Sequence, residues 1–329
     1  MVTRESVELA KRIQRESGLT FHVATRFLPR RVRHPTYVLY AFFRLADQVV
    51  DDPDPAPPRT QSARLAGYER AVLGEDDATH PVLREMASLI EAHEIDPTEV
   101  TEFIGAMRQD IEGEPFETYT DLEGYLRGSA VAVAYMMLAV MDPAEESVAR
   151  PHARALGEAF QLTNFLRDIR EDAVEFDRLY LPLATLDAYD VDPGEIFRLR
   201  YSARFAHVVH HELERAESRY REGVAGIGLL PADCQFPVLL AAVLYAEYHR
   251  LITSVGYNVF SHPPAISTVR YLSLIARTWV AWRRSRDPEV VFYRVSPIDR
   301  SQPTPRRPPT MVGRLGERVS ATSRLTSGE

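Results

Sequence analysis

Residues 161–172 read QLTNFLRDIRED, an apolar stretch interrupted at regular intervals by amide and acidic side chains. On an α-helix, Asn164, Asp168 and Asp172 lie at positions i, i+4 and i+8 and therefore form one stripe. Gln161 lies one turn before Asn164 on nearly the same face. This stretch predicts a helix that carries a polar stripe on an otherwise apolar segment.

A second stretch of the same kind lies earlier in the chain, where residues 40–52 read YAFFRLADQVVDD. Asp47 and Asp51 are four residues apart and share one helix face, and Arg44 lies one turn before Asp47. Both aspartates interrupt residues that are otherwise apolar. The chain therefore has two helical segments with carboxylates where a core-facing surface is expected.

Neighbouring aspartates repel each other and cost free energy to desolvate, so near a core they need arginine, bound protons or a metal ion. Two such clusters facing each other would suit Mg²⁺, which prefers oxygen ligands and is usually completed by substrate phosphates. Asn164 would add a neutral oxygen. The pattern alone favours a metal–diphosphate site and buried structural ion pairs equally. Arg44 and Arg167 fit both, as diphosphate clamps or as ion-pair partners.

Helical periodicity dominates the remainder of the chain, and no series of alternating strands is present. The sequence therefore predicts an all-α fold. The predicted helices cover residues 2–16, 35–51, 62–73, 80–93, 97–113, 122–141, 144–175, 193–224, 232–255 and 267–286.

Composition narrows the class of protein. The formal net charge of −8 disfavours a nucleic-acid partner, and the single cysteine excludes an internal disulfide. The N-terminus lacks the apolar core of a signal peptide, and the apolar run at residues 130–141 is too short to span a bilayer. We expect a cytoplasmic protein.

The chain divides into two parts. Residues 1–295 are predicted to form a single helical catalytic domain. Residues 296–329 are rich in Pro, Ser, Thr and Arg and poor in aliphatic side chains, so they are predicted to form a disordered tail.

Further motifs accompany the two aspartate-rich segments in a fixed order. They are TFHVATRFLP at residues 20–29, GYLRGSA at 124–130, RLYLP at 178–182 and GYNVF at 256–260. With these motifs the chain resembles the squalene and phytoene synthase family over about residues 18–271, and among its members it looks most like phytoene synthases. One departure is Gln48, where the family usually has a second adjacent acid.

The resemblance implies an isoprenoid synthase-type helical bundle around a central cavity, with two facing aspartate-rich helices. It implies Mg²⁺, or Mn²⁺ as an alternative, bound to two diphosphates by the side chains of Asp47, Asp51, Asn164, Asp168 and Asp172. It further implies that Tyr125 lies near the reacting carbons, and that the substrate is contacted by Phe21, Arg44, Gln161, Asn164, Arg167, Tyr245 and Arg270.

The reaction so implied is the head-to-head condensation of two geranylgeranyl diphosphates to phytoene through a cyclopropyl intermediate, the first committed step of carotenoid biosynthesis. No NADPH is expected. Three alternatives stay open: squalene synthesis, dehydrosqualene synthesis from farnesyl diphosphate, and a non-catalytic scaffold of the same fold. Small side chains at residues 129–134 would either leave room for prenyl tails or serve close helix packing. Because long prenyl chains partition into lipid, peripheral membrane contact is a further expectation.

Overall fold

The computed structural model describes residues 19–52 and 54–301, and within these residues every regular element is helical. The predicted all-α fold is confirmed. The predicted helix at residues 2–16 and the tail from residue 302 lie outside the described residues. The helices are α1 Leu19–Arg26, α2 Arg30–Val50, α3 Pro58–Val72, α4 Pro81–Ala92, α5 Pro97–Glu112, α6 Tyr119–Leu126, α7 Val133–Met141, α8 Glu146–Glu175, α9 Leu183–Ala188, α10 Pro193–Phe197, α11 Ala203–Ala225, α12 Ala232–Ser254, α13 Thr268–Ser285 and α14 Pro288–Val295, with a π-helical turn at Arg127–Ala132 and a 3-10 turn at Ile227–Leu229.

Two predicted helix boundaries were wrong. The helix predicted from residue 35 begins at Arg30, because Pro29 precedes it in an extended conformation (φ −62°, ψ 154°) and Pro35 is accommodated inside the helix. The helix predicted over residues 193–224 is two helices, α10 and α11. Leu199 between them has a left-handed φ of 53°, and the Ser202 side chain caps α11 by accepting from the Phe205 amide. The short helices α1, α9 and α14 were not predicted.

The long helix α8 organises the bundle. It packs along α11 more extensively than any other two elements pack, and α2, α7 and α12 lie around the same region. Gly223 permits the close approach of α11, since a Cβ atom there would lie 2.6 Å from the Leu156 backbone nitrogen. The aspartate-rich part of α8 is thereby held rigidly in the interior of the bundle.

The helical segment Tyr119–Met141 runs through α6, the π-helical turn and α7 without a break. By length and composition it is the one helix among the described residues that would be able to cross a membrane. The expectation that this region is too short was therefore wrong, because the helix extends well beyond its apolar run. The segment packs against α5 and α8, so it serves here as a core helix.

The π-helical turn depends on Gly128, and this can be tested. A Cβ atom on Gly128 would lie 2.2 Å from the Glu102 carbonyl oxygen, a backbone atom that is fixed within α5. We expect Gly128→Ala to lower the free energy of unfolding by about 1–3 kcal/mol in urea titrations. Gly124→Ala is the matched control, because a Cβ atom there meets nothing within 4 Å. It should raise stability by about 0.5–1 kcal/mol. Equal effects of the two substitutions would contradict the packing argument.

Candidate active site

A cavity of about 550 Å³ lies between α2, α7, α8 and α12. Along α8 its wall extends from Ala149 to Arg167, which is about 27 Å at the helical rise of 1.5 Å per residue. Most of the wall is apolar, with Leu39, Met137 and Leu156 among its residues. This shape suits a long apolar ligand with a polar group at one end.

The polar end of the cavity brings together residues from both aspartate-rich segments. The sequence-predicted side chains that line the cavity are Arg44, Asp47, Gln161, Asn164, Arg167 and Tyr245. Arg44 Nη1 lies 3.3 Å from Asp47 Oδ2, and Asn164 Nδ2 donates to Gln161 Oε1 at 3.3 Å. Arg44 Nε and Asn164 Oδ1 are buried and have no hydrogen-bond partner within the described chain. A donor and an acceptor are thus available at the point where a polar ligand group would lie.

Two further aspartates of these segments, Asp51 and Asp168, are held by arginine. Arg167 forms a bidentate ion pair with Asp168, in which Nε donates to Oδ1 at 2.7 Å and Nη2 donates to Oδ2. Arg178 Nη1 donates to Asp51 Oδ1 at 2.9 Å across the gap between the segments. The structure therefore shows both a possible ligand surface and the ion pairs of the alternative interpretation.

Asp110 on α5 is a site residue that the sequence reasoning missed. Its Oδ2 accepts a hydrogen bond from the Tyr125 hydroxyl at 2.8 Å, and its Oδ1 accepts one from the Tyr180 hydroxyl at 2.8 Å. The Tyr180 ring in turn stacks on Phe165, with ring centroids 4.3 Å apart. Asp110 thus ties α5 and α6 to the segment that follows α8.

Three carboxylates of this region have pKa values well above the ordinary value, because they are buried and the neighbouring arginines do not fully offset the cost. Burial raises the pKa of Asp47 to about 7, although Arg44 opposes the shift. Burial, together with the charges of Asp168 and Glu171, raises the pKa of Asp172 to about 8. Burial also raises the pKa of Asp110 to about 6, against the favourable charge of Arg178. Each shift has the sign expected for a cluster that would be stabilised by an added cation.

The donors present fit a divalent cation such as Mg²⁺, which prefers carboxylate and amide oxygens. Among the described residues, no group of three or more acidic, histidine or cysteine side chains is already arranged as a metal site. This is compatible with Mg²⁺, because that ion usually takes one or two carboxylates together with substrate phosphates rather than an all-protein cage.

Several residues singled out in the sequence do not line the cavity. Tyr125 is buried with its hydroxyl on Asp110 and does not line the cavity. Arg270 makes two hydrogen bonds of 2.8 Å to the buried carboxylate of Glu247. Gln48 is exposed to solvent, and the side chain of Phe21 lies outside the described residues. The roles of Tyr125, Phe21 and Arg270 at the substrate stay predictions.

The small side chains of the central helix serve both of the purposes considered for them. Ser129, Ala130 and Ala134 line the cavity, whereas Ala132 is fully buried and does not. Gly128, in the same turn, packs against α5. One helix therefore gives room on one face and close packing on another.

The comparisons with known proteins all match this chain to one protein family. The family model described as squalene/phytoene synthase matches residues 14–270. The chain is 30% identical over 287 residues to a phytoene synthase of Rhodobacter capsulatus, covering 84% of this chain and 82% of that protein. It is 28% identical over 302 residues to a 15-cis-phytoene synthase of a Synechocystis strain, covering 86% of each chain.

Solved structures show the same fold. The crystal structure of a dehydrosqualene synthase in complex with a ligand superposes with a TM-score of 0.75 at 24% identity, covering 85% of this chain and 97% of that one. A squalene synthase from Alicyclobacillus acidocaldarius gives a TM-score of 0.68 at 24% identity, covering 78% and 95%.

Proposed function

The chain belongs to the squalene/phytoene synthase family, and on that premise we propose that it condenses two molecules of geranylgeranyl diphosphate to phytoene. The observation that carries this proposal is the similarity to proteins named phytoene synthase over more than four fifths of the chain. The long apolar cavity with arginine, amide and carboxylate groups at one end supports it, because a prenyl diphosphate has the same division into an apolar tail and a charged head.

Arg44 and Arg167 are the residues best placed to bind the diphosphate groups. Both guanidinium groups line the polar end of the cavity, and guanidinium binds phosphate oxygens in a two-pronged geometry. Arg167 would exchange its contact with Asp168 for a diphosphate oxygen, which would free that aspartate. The ion pairs seen in the structure and the diphosphate site are then two states of the same residues.

Asp47, Asp51, Asp168, Asp172 and Asn164 would hold a divalent cation, which we propose is Mg²⁺. When bound, it supplies Lewis-acid stabilisation of the departing diphosphate. Burial raises the pKa values of Asp47 and Asp172, and a bound cation would offset the cost of ionising these carboxylates. The exposed Gln48 lies outside this set, so the missing second acid of the family motif does not remove a ligand from the cavity.

The apolar wall protects the reacting carbons. Loss of the first diphosphate leaves an allylic cation. Attack by the double bond of the second substrate on this cation, followed by loss of one proton, closes the ring of the cyclopropyl diphosphate. Loss of the second diphosphate and of one proton then gives the hydrocarbon. Water would trap either cation, so a wall formed by side chains such as Leu39, Phe43 and Met137 favours coupling over hydrolysis.

The released diphosphate is the better candidate for the final proton acceptor. The alternative, Tyr125, is buried beside the Asp110 carboxylate, and both factors hold the pKa of its hydroxyl well above the ordinary value. Its hydroxyl proton is already donated to Asp110. We propose that Tyr125 shapes the site through Asp110 and does not itself remove the proton.

The purified chain should convert geranylgeranyl diphosphate to a C40 hydrocarbon in the presence of Mg²⁺ and without NADPH, as measured by mass analysis of the extracted product. Chelation should abolish the product, and added Mg²⁺ or Mn²⁺ should restore it. Farnesyl diphosphate is the parallel substrate. If a C30 hydrocarbon forms from farnesyl diphosphate and no C40 hydrocarbon forms, the proposed reaction is wrong and the protein synthesises dehydrosqualene. Accumulation of a cyclopropyl diphosphate would indicate a missing reductant and hence squalene synthesis.

A further inference from the structure

Helix α13 exposes an apolar stripe on the surface. The stripe consists of Val269, Leu272, Ala276, Trp279 and Val280, whose spacing places them on one face of the helix. The exposed fractions are 80% for Val269, 61% for Leu272 and 51% for Trp279. The opposite face, with Leu274, Thr278 and Trp282, is buried against the bundle. The apolar residues of the stripe therefore do not contribute to the core.

Arginines accompany this stripe. Arg283 follows it at the C-terminal end of the helix, and Arg277 and Arg284 lie along one flank. None of the three makes an ion pair within the described part of the chain, although the Arg283 guanidinium lies 5.7 Å from the centre of the Trp279 ring. Residues 268–285 contain no acidic residue, while the whole chain has a net charge of −8. The positive charge is thus local to this surface.

The first turn of α13 lies near the polar end of the cavity. Tyr271, on the first turn of α13, lines a surface recess together with Arg167, Asp168 and Tyr248. Arg167 and Tyr248 also line the main cavity. A surface that binds to α13 would therefore lie near residues that also line the main cavity.

We propose that the α13 stripe docks the protein on an anionic lipid bilayer. An amphipathic helix with apolar and aromatic residues on one face and arginines beside them binds at the interface of such a bilayer. Tryptophan is favoured at that depth, and each arginine near an anionic surface adds to the affinity. This inference rests on the surface of α13 and does not require the proposed reaction.

A second copy of the chain is a less suitable occupant. In a symmetric dimer the same patch of both subunits forms the interface, which would bring together two copies of Arg277, Arg283 and Arg284 on helices that contain no acidic residue. Like charges facing each other oppose such an interface, whereas they favour binding to anionic lipid.

Both tryptophans of the chain lie on α13, which makes the surface directly observable. Trp279 is exposed, and Trp282 is buried. Adding vesicles of phosphatidylcholine with phosphatidylglycerol to the full chain should shift the emission to shorter wavelength, and vesicles of phosphatidylcholine alone should cause little shift. Trp279→Phe should remove the shift but retain sedimentation with the anionic vesicles, because the apolar surface is preserved.

Two surface variants test the assignment by co-sedimentation with the same vesicles. We expect the bound fraction to decrease about tenfold in the double variant Leu272→Gln with Trp279→Gln, and by a similar factor in the triple variant Arg277→Gln, Arg283→Gln and Arg284→Gln. Val148→Gln is the control, because Val148 is 47% exposed and lies at the start of α8. All variants should retain their thermal transition and their turnover of detergent-dispersed substrate.

Three results would overturn the proposal. They are absence of wild-type binding to the anionic vesicles, unchanged binding of the Leu272→Gln, Trp279→Gln variant, and a wild-type dimer in sedimentation velocity that this variant converts to monomer. The last result would assign the stripe to a second copy of the chain. None of these measurements depends on product formation, so failure of the proposed reaction would be distinguishable from failure of this surface.

Discussion

Replacing Asp172 by asparagine is expected to abolish phytoene formation while the protein becomes more stable. Loss of a carboxylate ligand should lower kcat by about a thousandfold or more, since the cation that it holds stabilises the leaving group. The folded state, in contrast, is relieved of an unfavourable charge, because burial and the neighbouring carboxylates of Asp168 and Glu171 raise the pKa of Asp172 to about 8. An increase in the free energy of unfolding of about 1–2 kcal/mol is expected at alkaline pH.

The pH dependence of that gain has a definite sign. A carboxyl group whose folded-state pKa is above its unfolded value destabilises the folded state once the pH is high enough to ionise it. The stabilisation by Asp172→Asn should therefore appear as the pH rises from about 4 to 8 and should vanish below about pH 4, where the group is protonated in both states. Urea titrations at several pH values would measure it.

The control for this prediction is Asp187→Asn, because Asp187 is exposed on α9 and does not line the cavity. It should change neither turnover nor stability. Full activity of the Asp172→Asn protein would remove Asp172 from the cation site. An Asp168→Ala protein that remains folded and fully active would likewise remove Asp168 from the site, whereas folded wild-type protein that gives no product from either substrate would favour the non-catalytic scaffold.

The second large effect is expected in the apolar part of the cavity, about three helical turns from its polar end. Ala153 lines the cavity about three turns of α8 before Asn164. A phenylalanine side chain at this position would fill part of the space that a C20 tail would occupy and leave room for a shorter one. The ratio of C30 to C40 hydrocarbon should therefore rise about a hundredfold in competition assays with farnesyl and geranylgeranyl diphosphates.

A graded series makes this test sharper. Ala153→Val and Ala153→Leu should give intermediate ratios, because each adds less volume than phenylalanine. Ser147→Phe provides the same ring at an exposed position on the first turn of α8 and should leave the ratio unchanged. Stability should fall by about 1–3 kcal/mol at most in Ala153→Phe, as is typical of overpacking. A constant product ratio across the series would show that prenyl tails do not reach this end of the cavity.

The helix boundaries were predictable from the sequence only where the residues at the boundary give a clear capping signal. Helix α5 was predicted to within one residue, because Asp96 caps its start through the Thr98 amide and Gly113 ends it with φ 67°. The break between α10 and α11 was missed, because Leu199 and Ser202 stand among good helix formers and no glycine or proline marks the break. Caps are visible in a sequence only where the surrounding residues do not also favour a helix.

The candidate site was predictable only where its residues repeat along one helix. Arg44 with Asp47, and Gln161 with Asn164 and Arg167, were found because helical spacing places them on common faces. Asp110 and Arg178 were not assigned a role, because their contacts join distant parts of the chain. Arg178 reaches Asp51 across 127 positions, and no spacing rule connects such a pair.

The π-helical turn at Arg127–Ala132 has a consequence for how this protein can change. Each residue of an α-helix rotates the next side chain by about 100°, so a wide turn sets the angular phase of α7 relative to α6. Tyr125 before the turn is thereby directed to Asp110, while Met137 after it is directed into the cavity. Deleting a single residue from the turn would change the rotation of α7 relative to α6 by about 100°. Either Tyr125 would then point away from Asp110, or Met137 would point away from the cavity. A substitution in this segment can therefore alter the Tyr125–Asp110 contact or the cavity wall separately. A change in the length of the segment would instead shift one relative to the other.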